Sequence, residues 1–128
     1  MKYKIIIGIL ISVLIVGCVT TAQVRAENRQ KLLHLSVGES KQDVLHKMGT
    51  QTIETENGSV ITNPYRTEMY KVGSNTFELL LYYTDLKKSD GAITDDELTP
   101  IVMKNGKVDG WGWSYWNNLI NKYEIRVR

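Results

Sequence analysis

The sequence predicts an α+β fold: a two-layer domain in which two short N-terminal helices pack on an antiparallel sheet of about four strands, with a further helix at the C-terminus and the helices on one face. Three observations carry this expectation. From Phe77 to Thr84 the residues alternate with a period of two and are apolar on both faces, as in a central strand with material packed on each side. Asn105-Gly106, set between "TPIVMK" and "KVDGWGW", is a strong signal for a two-residue hairpin. Ser40, with Asp43 three positions on and Val44, Leu45 and Met48 sharing one helical face, marks a capped helix that Gly49 ends.

Taken in chain order, the first segment addresses the protein rather than folding it. Met1 to Lys4 carries two lysines, and Ile5 to Gly17 is an uncharged apolar run of signal-core length, short of the roughly 20 residues that a membrane span needs. The run ends in "IVGC", Ile15 to Cys18, which resembles the lipobox of bacterial lipoproteins. The resemblance implies that residues 1–17 are a signal peptide. It also implies that Cys18 receives a diacylglycerol and a further acyl chain such as palmitate, and that the mature protein is held to a membrane by lipid. Val19 at the next position fits, in such lipoproteins, sorting to the periplasmic face of the outer membrane. The competing cleavage follows Ala26 in "VRA" and releases a soluble secreted or periplasmic protein.

Loss of the signal changes the charge balance. Lys plus Arg falls from 16 to 14 against 14 Asp plus Glu, so the mature chain is formally neutral and its composition points to no nucleic-acid partner. Cys18 is the single cysteine, which excludes an internal disulfide framework and a thiolate zinc cluster. Residues 18–28 show no sustained periodicity and read as a tether with a reach of roughly 35 Å when extended. The folded domain is then expected over residues 29–128, enough for one modest core.

Leu32, Leu33 and Leu35 form a short apolar cluster ahead of the helix capped by Ser40, which gives two short helices meeting at a turn. The stretch "LSVGESKQDVLHKMGT" resembles the opening of small outer-membrane lipoproteins of the SmpA/OmlA (BamE-like) group, with Leu35, Gly38, Ser40, Val44, Met48 and Gly49 in the recurring slots. Glu39 stands where that pattern has Met, and no proline follows Gly49. The second half, from "NPYRTEMYKVG" through "KVDGWG", is similar to an uncharacterised proteobacterial lipoprotein family, a domain of unknown function. The BamE-like resemblance implies a binding module working with envelope or outer-membrane assembly proteins.

The remaining elements follow from local pattern. Arg66 to Val72 reads as the strand before Phe77. Asp85 to Thr99 is a longer connection than most, and Asp95, Asp96 and Glu97 within it are candidates for contact with a partner; a solvated loop paired to Lys87 and Lys88 is the equal alternative. At the C-terminus, Tyr115, Trp116, Leu119, Ile120 and Tyr123 recur at helical spacing, with Ser114 as the expected N-cap. Trp111 and Trp113 fall at the end of the last strand and are expected on one side of it, beside Gly110 and Gly112. Packing is the economical use of these rings in a small domain, and a shallow aromatic groove at Trp111 and Trp113 is the functional alternative.

No catalytic constellation can be assembled. His34 and His46 are twelve residues apart without a carboxylate or cysteine at ligand spacing, and "SDGAITDDEL" lacks the ligand register of a calcium loop. A binding protein without cofactor or metal is therefore expected rather than an enzyme: an accessory or scaffold protein of the envelope, or alternatively a periplasmic small-ligand or glycan-binding module using Trp111 and Trp113.

Overall fold

Strand order follows chain order in the main sheet of the computed structural model, which describes residues 19–127. The sheet is β3 (Arg66–Val72), β4 (Asn75–Tyr83), β5 (Leu98–Lys104) and β6 (Lys107–Trp111), antiparallel throughout. Asn105 and Gly106, both at positive φ, make the two-residue turn between β5 and β6. A separate hairpin, β1 (Thr52–Glu54) with β2 (Val60–Thr62), lies ahead of the sheet. The sequence reading missed this hairpin, although Asn57-Gly58 between two short β-rich runs is its signal.

Three helices complete the fold: α1 (Thr21–Leu32), α2 (Lys41–Met48) and α3 (Trp113–Tyr123). Strand β4 explains where they sit. Its Phe77, Leu79, Leu81 and Tyr83 point to one face and pack with Trp116 and Leu119 of α3, while Leu80 and Tyr82 point to the other and pack with Val44 and Met48 of α2. The sheet is therefore covered on both faces, in three layers, which corrects the two-layer expectation with all helices on one face. The double-sided apolar pattern of β4 requires this: a single helical layer would leave Leu80 and Tyr82, both fully buried, in water.

Of the expected tether, residues 18–28, the described part from Val19 onward is not a free linker. Helix α1 begins at Thr21, and Thr20 caps it in a reciprocal box, accepting from the Gln23 N–H at 3.1 Å while the Gln23 side chain accepts from the Thr20 N–H at 2.8 Å. The buried positions are Val24, Asn28 and Leu32, one stripe at i, i+4, i+8. That stripe has a polar residue at its centre, so it shows no apolar periodicity. Val24 reaches the α3-side core and Leu32 the α2-side core, so α1 crosses the end of the sheet. The expected signal peptide (residues 1–17) and the expected lipidation site Cys18 lie outside the described residues.

The corner after β6 differs from expectation as well. Gly112, not Ser114, precedes the helix, and its φ of +96° turns the chain so that Trp113 is already helical. One step earlier, a bulge between Val102 and Met103 in the β5–β6 ladder brings Gly110 under the Tyr115 ring. A Cβ built on Gly110 would lie 2.7 Å from that ring, which is why the position holds glycine.

Candidate functional site

One buried side chain gathers the two ends of the 84–97 connection. Glu97 is 1 % exposed, and its carboxylate accepts from the Lys87 N–H at 3.0 Å, the Thr94 N–H at 3.0 Å and the Thr94 hydroxyl at 3.1 Å. Its own carbonyl accepts from the N–H groups of Thr84 and Asp85, each at 3.0 Å. Backbone donation from Thr94 and then Lys87 holds the Glu97 carboxyl below the ordinary glutamate range, against the opposing effect of desolvation. A long acidic loop is thereby closed around a buried anion, and its outer residues are set in place.

What the loop presents is one wall of a groove of about 410 Å³. Leu86, Lys88 and Ile93 come from the loop, Val60 and Ile61 from β2, and Arg25 from the second turn of α1. Tyr83, the last residue of β4, lies between them; Arg25 Nη1 donates to its hydroxyl at 2.9 Å, and the guanidinium carbon is 5.3 Å from the ring centroid. The opposite wall is tied to the segment just ahead of α1, because the Glu56 N–H donates to the Val19 carbonyl at 3.0 Å. Val60 is 60 % exposed, Leu86 43 % and Tyr65 37 %, a cluster of water-facing apolar surface beside the two cations.

The candidates named from sequence distribute differently. Trp111 is exposed on the edge strand β6 opposite Ile101, whose side chain belongs to the α2-side core. Trp113 packs against the α3-side core and donates from Nε1 to the Leu98 carbonyl at 2.8 Å. Cross-strand partners share a face, so Trp111 and Trp113 lie on opposite sides of the sheet, which corrects the expectation that they share one. The physical reason is the turn at Gly112: period-two reasoning ends where the helix begins.

The three acidic candidates also part company. Asp95 pairs with Arg66 at 2.7 Å, and Arg66 also reaches Glu68 at 3.1 Å. Asp96 lies against the Thr94 hydroxyl, whose single proton it shares with Glu97, and lines a shallow depression with Trp113 and Arg29. Glu97 is internal to the loop. The structure thus brings Asp96 and Trp113 together and leaves Trp111, Asp95 and Glu97 apart from them. The groove residues Arg25, Val60, Tyr65, Leu86 and Lys88 were not legible as a set; the length of the 85–99 connection was the one signal pointing toward them.

Raised tyrosine pKa values mark packing. Burial, aided by the Asp109 carboxylate, pushes the Tyr115 hydroxyl up to about 12, and burial alone does the same for Tyr82, which donates to the Gly49 carbonyl at 3.0 Å. Both groups hold elements together, Tyr115 across the β6–α3 corner and Tyr82 across β4 and the end of α2.

Comparison with known families gives one match: the family described as protein of unknown function (DUF3192) matches residues 19–118. The match starts at Val19, covers both sheets and ends within α3. No curated protein and no solved structure matches the chain.

Proposed function

The chain belongs to the DUF3192 family of proteins of unknown function, and from that premise we propose that it is a lipid-anchored accessory or scaffold protein of the bacterial envelope that binds other envelope proteins. The observation that carries the proposal is the groove beside the N-terminal segment, where Val60, Tyr65 and Leu86 are exposed beside the half-buried Arg25 and the exposed Lys88. An apolar patch rimmed by polar side chains is the ordinary form of a protein contact surface. The resemblance to the BamE-like group supports the finer reading, a role in outer-membrane assembly or maintenance at its periplasmic face.

Anchoring at Cys18 agrees with where the fold starts. One residue, Val19, separates Cys18 from the helix cap Thr20, so acyl chains on Cys18 hold α1 within about 7 Å of the attachment point. Cleavage after Ala26 would instead cut through the middle of α1 and discard Val24 and Arg25, which supports Cys18 as the mature first residue. The alternative of a small-ligand or glycan groove at Trp111 and Trp113 loses support from their placement on opposite faces.

The experiment is site-specific photo-crosslinking from position 60 in intact envelope membranes, with position 117, on the exposed side of α3, as the control. Adducts to a discrete envelope protein at position 60 and not at 117 are expected. Equal labelling at both, or none, rejects the proposal.

A further inference from the structure

We infer that the groove between α1, β2 and the 84–97 loop takes an acidic segment of a partner protein that also carries an apolar side chain. The inference rests on the reading above, that the domain is an anchored binding module, and adds the chemistry of what it binds.

Charge is the first argument. The groove is lined by Arg25 and Lys88 and by no Asp or Glu, in a chain whose mature part has equal numbers of acids and bases. Of the acids near it in sequence, Asp85 pairs with Lys87 at 2.8 Å, Asp95 pairs with Arg66, Asp90 accepts from the Ala92 N–H at 3.1 Å and Glu97 is held by its own loop; none of these, nor Glu27 or Glu56, lines the groove. Neither Arg25 nor Lys88 takes part in an ion pair among the described residues. Arg25 is instead held by the face and hydroxyl of Tyr83, an arrangement that fixes the guanidinium without neutralising it. Two cations without an ion-pair partner, in a concavity that no carboxylate lines, concentrate positive potential there.

Shape and polarity supply the second argument. Val60, Leu86 and Tyr65 flank the cations, and burying them is favourable at about 25 cal/mol per Å² of apolar surface removed from water. A neutral apolar ligand would desolvate the cations without pairing them, and a basic one would be repelled. A segment with carboxylates flanking one aliphatic or aromatic side chain meets both requirements, and a groove of about 410 Å³ accommodates a few residues of it. The proximity of Thr20 to the proposed anchor places such a segment in the layer next to the membrane.

The test uses the full chain purified in detergent micelles and a random peptide library displayed on phage, with selected peptides resynthesised and their Kd measured by fluorescence anisotropy. Selected peptides are expected to carry net negative charge and an apolar residue. They are expected to bind Lys88→Glu and Val60→Glu about tenfold or more weakly than the parent. Both positions are exposed, so the variants keep the parent melting midpoint. Neutral or basic selected peptides, unchanged affinity for the variants, self-association blocked by Val60→Glu, or no selected peptide while vesicles of phosphatidylglycerol and phosphatidylethanolamine bind would each overturn the inference. Position-60 crosslinking separates the two levels: protein adducts together with selection of basic peptides remove the inference and leave the anchored-module reading standing.

Discussion

The Asn28 side-chain amide donates to the backbone carbonyl of Tyr83 at 2.8 Å, in a site where Asn28 is 1 % exposed. The same amide reaches the Asn63 side-chain oxygen at 3.3 Å, so one polar side chain joins α1 to the end of the central strand and to the segment that follows β2. Asn28→Ala leaves that carbonyl and the Asn63 side chain buried without their partner. The expected loss is about 1–3 kcal/mol, read as a lower urea midpoint with unchanged slope. A wild-type midpoint would mean that α1 is held by Val24 and Leu32 alone.

The same residue shows why the N-terminal part of the fold was hard to read. Strand β4 was legible because seven of its residues obey one period and both of its faces are apolar. The β5–β6 turn was legible because Asn105-Gly106 has one common use. Helix α1 was not, because its buried stripe depends on an asparagine whose burial is compensated only by partners 35 and 55 residues away. The groove was less legible still: Val60 and Leu86 are unremarkable in sequence, and Arg25 lay in a stretch read as a tether. The positions of Asp95, Asp96 and Glu97 depended on which of three adjacent acids turned inward, a choice made by the Lys87 and Thr94 amides.

Trp116 and Trp111 should behave oppositely. Trp116 is 2 % exposed and packs with tilted rings, 5.3 Å from Tyr70 and 6.0 Å from Phe77, whereas Trp111 is 36 % exposed on an edge strand. Trp116→Ala is expected to cost about 3–5 kcal/mol, and Trp111→Ala about 0.5 kcal/mol or less. In the native state iodide should quench the fluorescence lost in Trp111→Ala and spare that lost in Trp116→Ala. A Trp116 that is open to iodide and dispensable for stability would refute the packed corner.

Gly110→Ala tests the corner from the other side. The added methyl group meets the Tyr115 ring at 2.7 Å, and that ring is restrained by its hydroxyl's bond to Asp109. The expected cost is about 1–3 kcal/mol. Because the strain is between two particular groups, Gly110→Ala should cost markedly less in a Tyr115→Ser background, a non-additivity that a double-mutant cycle measures. Equal costs in both backgrounds would place the strain in the backbone instead.

Cys18→Ala addresses the anchor. The variant should leave the membrane fraction and lose incorporation of a fatty-acid analogue, while its melting midpoint stays with that of the delipidated parent, since the cap at Thr20 and the buried stripe from Val24 are untouched. Inserting a flexible Gly-Ser linker between Cys18 and Val19 keeps the lipid but removes the close hold on α1. Crosslinking from position 60 to a membrane-proximal partner should then fall while membrane partitioning does not. Unchanged partitioning of Cys18→Ala would remove the lipid reading.

Glu97 gives the fold an acid-side dependence whose sign can be worked out. Its carboxyl is held below the ordinary value of 4.5 in the folded protein, chiefly by the Thr94 and Lys87 amides. A group whose folded pKa is depressed contributes stability that is present above its unfolded pKa and is lost as pH falls through the folded one. Glu97 therefore stabilises the loop at neutral pH, and that contribution declines as the pH drops below about 4.5. Asp85 is shifted in the same direction by Lys87, but that pair is half exposed, and exposed pairs contribute little. Glu97→Gln should accordingly be less stable than the parent at neutral pH and flatter in its decline below 4.5, and Asp85→Asn should nearly follow the parent. The measurement is a series of urea midpoints across the acid range, with amide exchange at Lys87 and Thr94 as a local readout. If the Glu97→Gln curve runs parallel to the parent throughout, the buried carboxylate does not hold the loop, and the groove wall it positions must be ordered by the Arg29 contact to the Thr84 carbonyl instead.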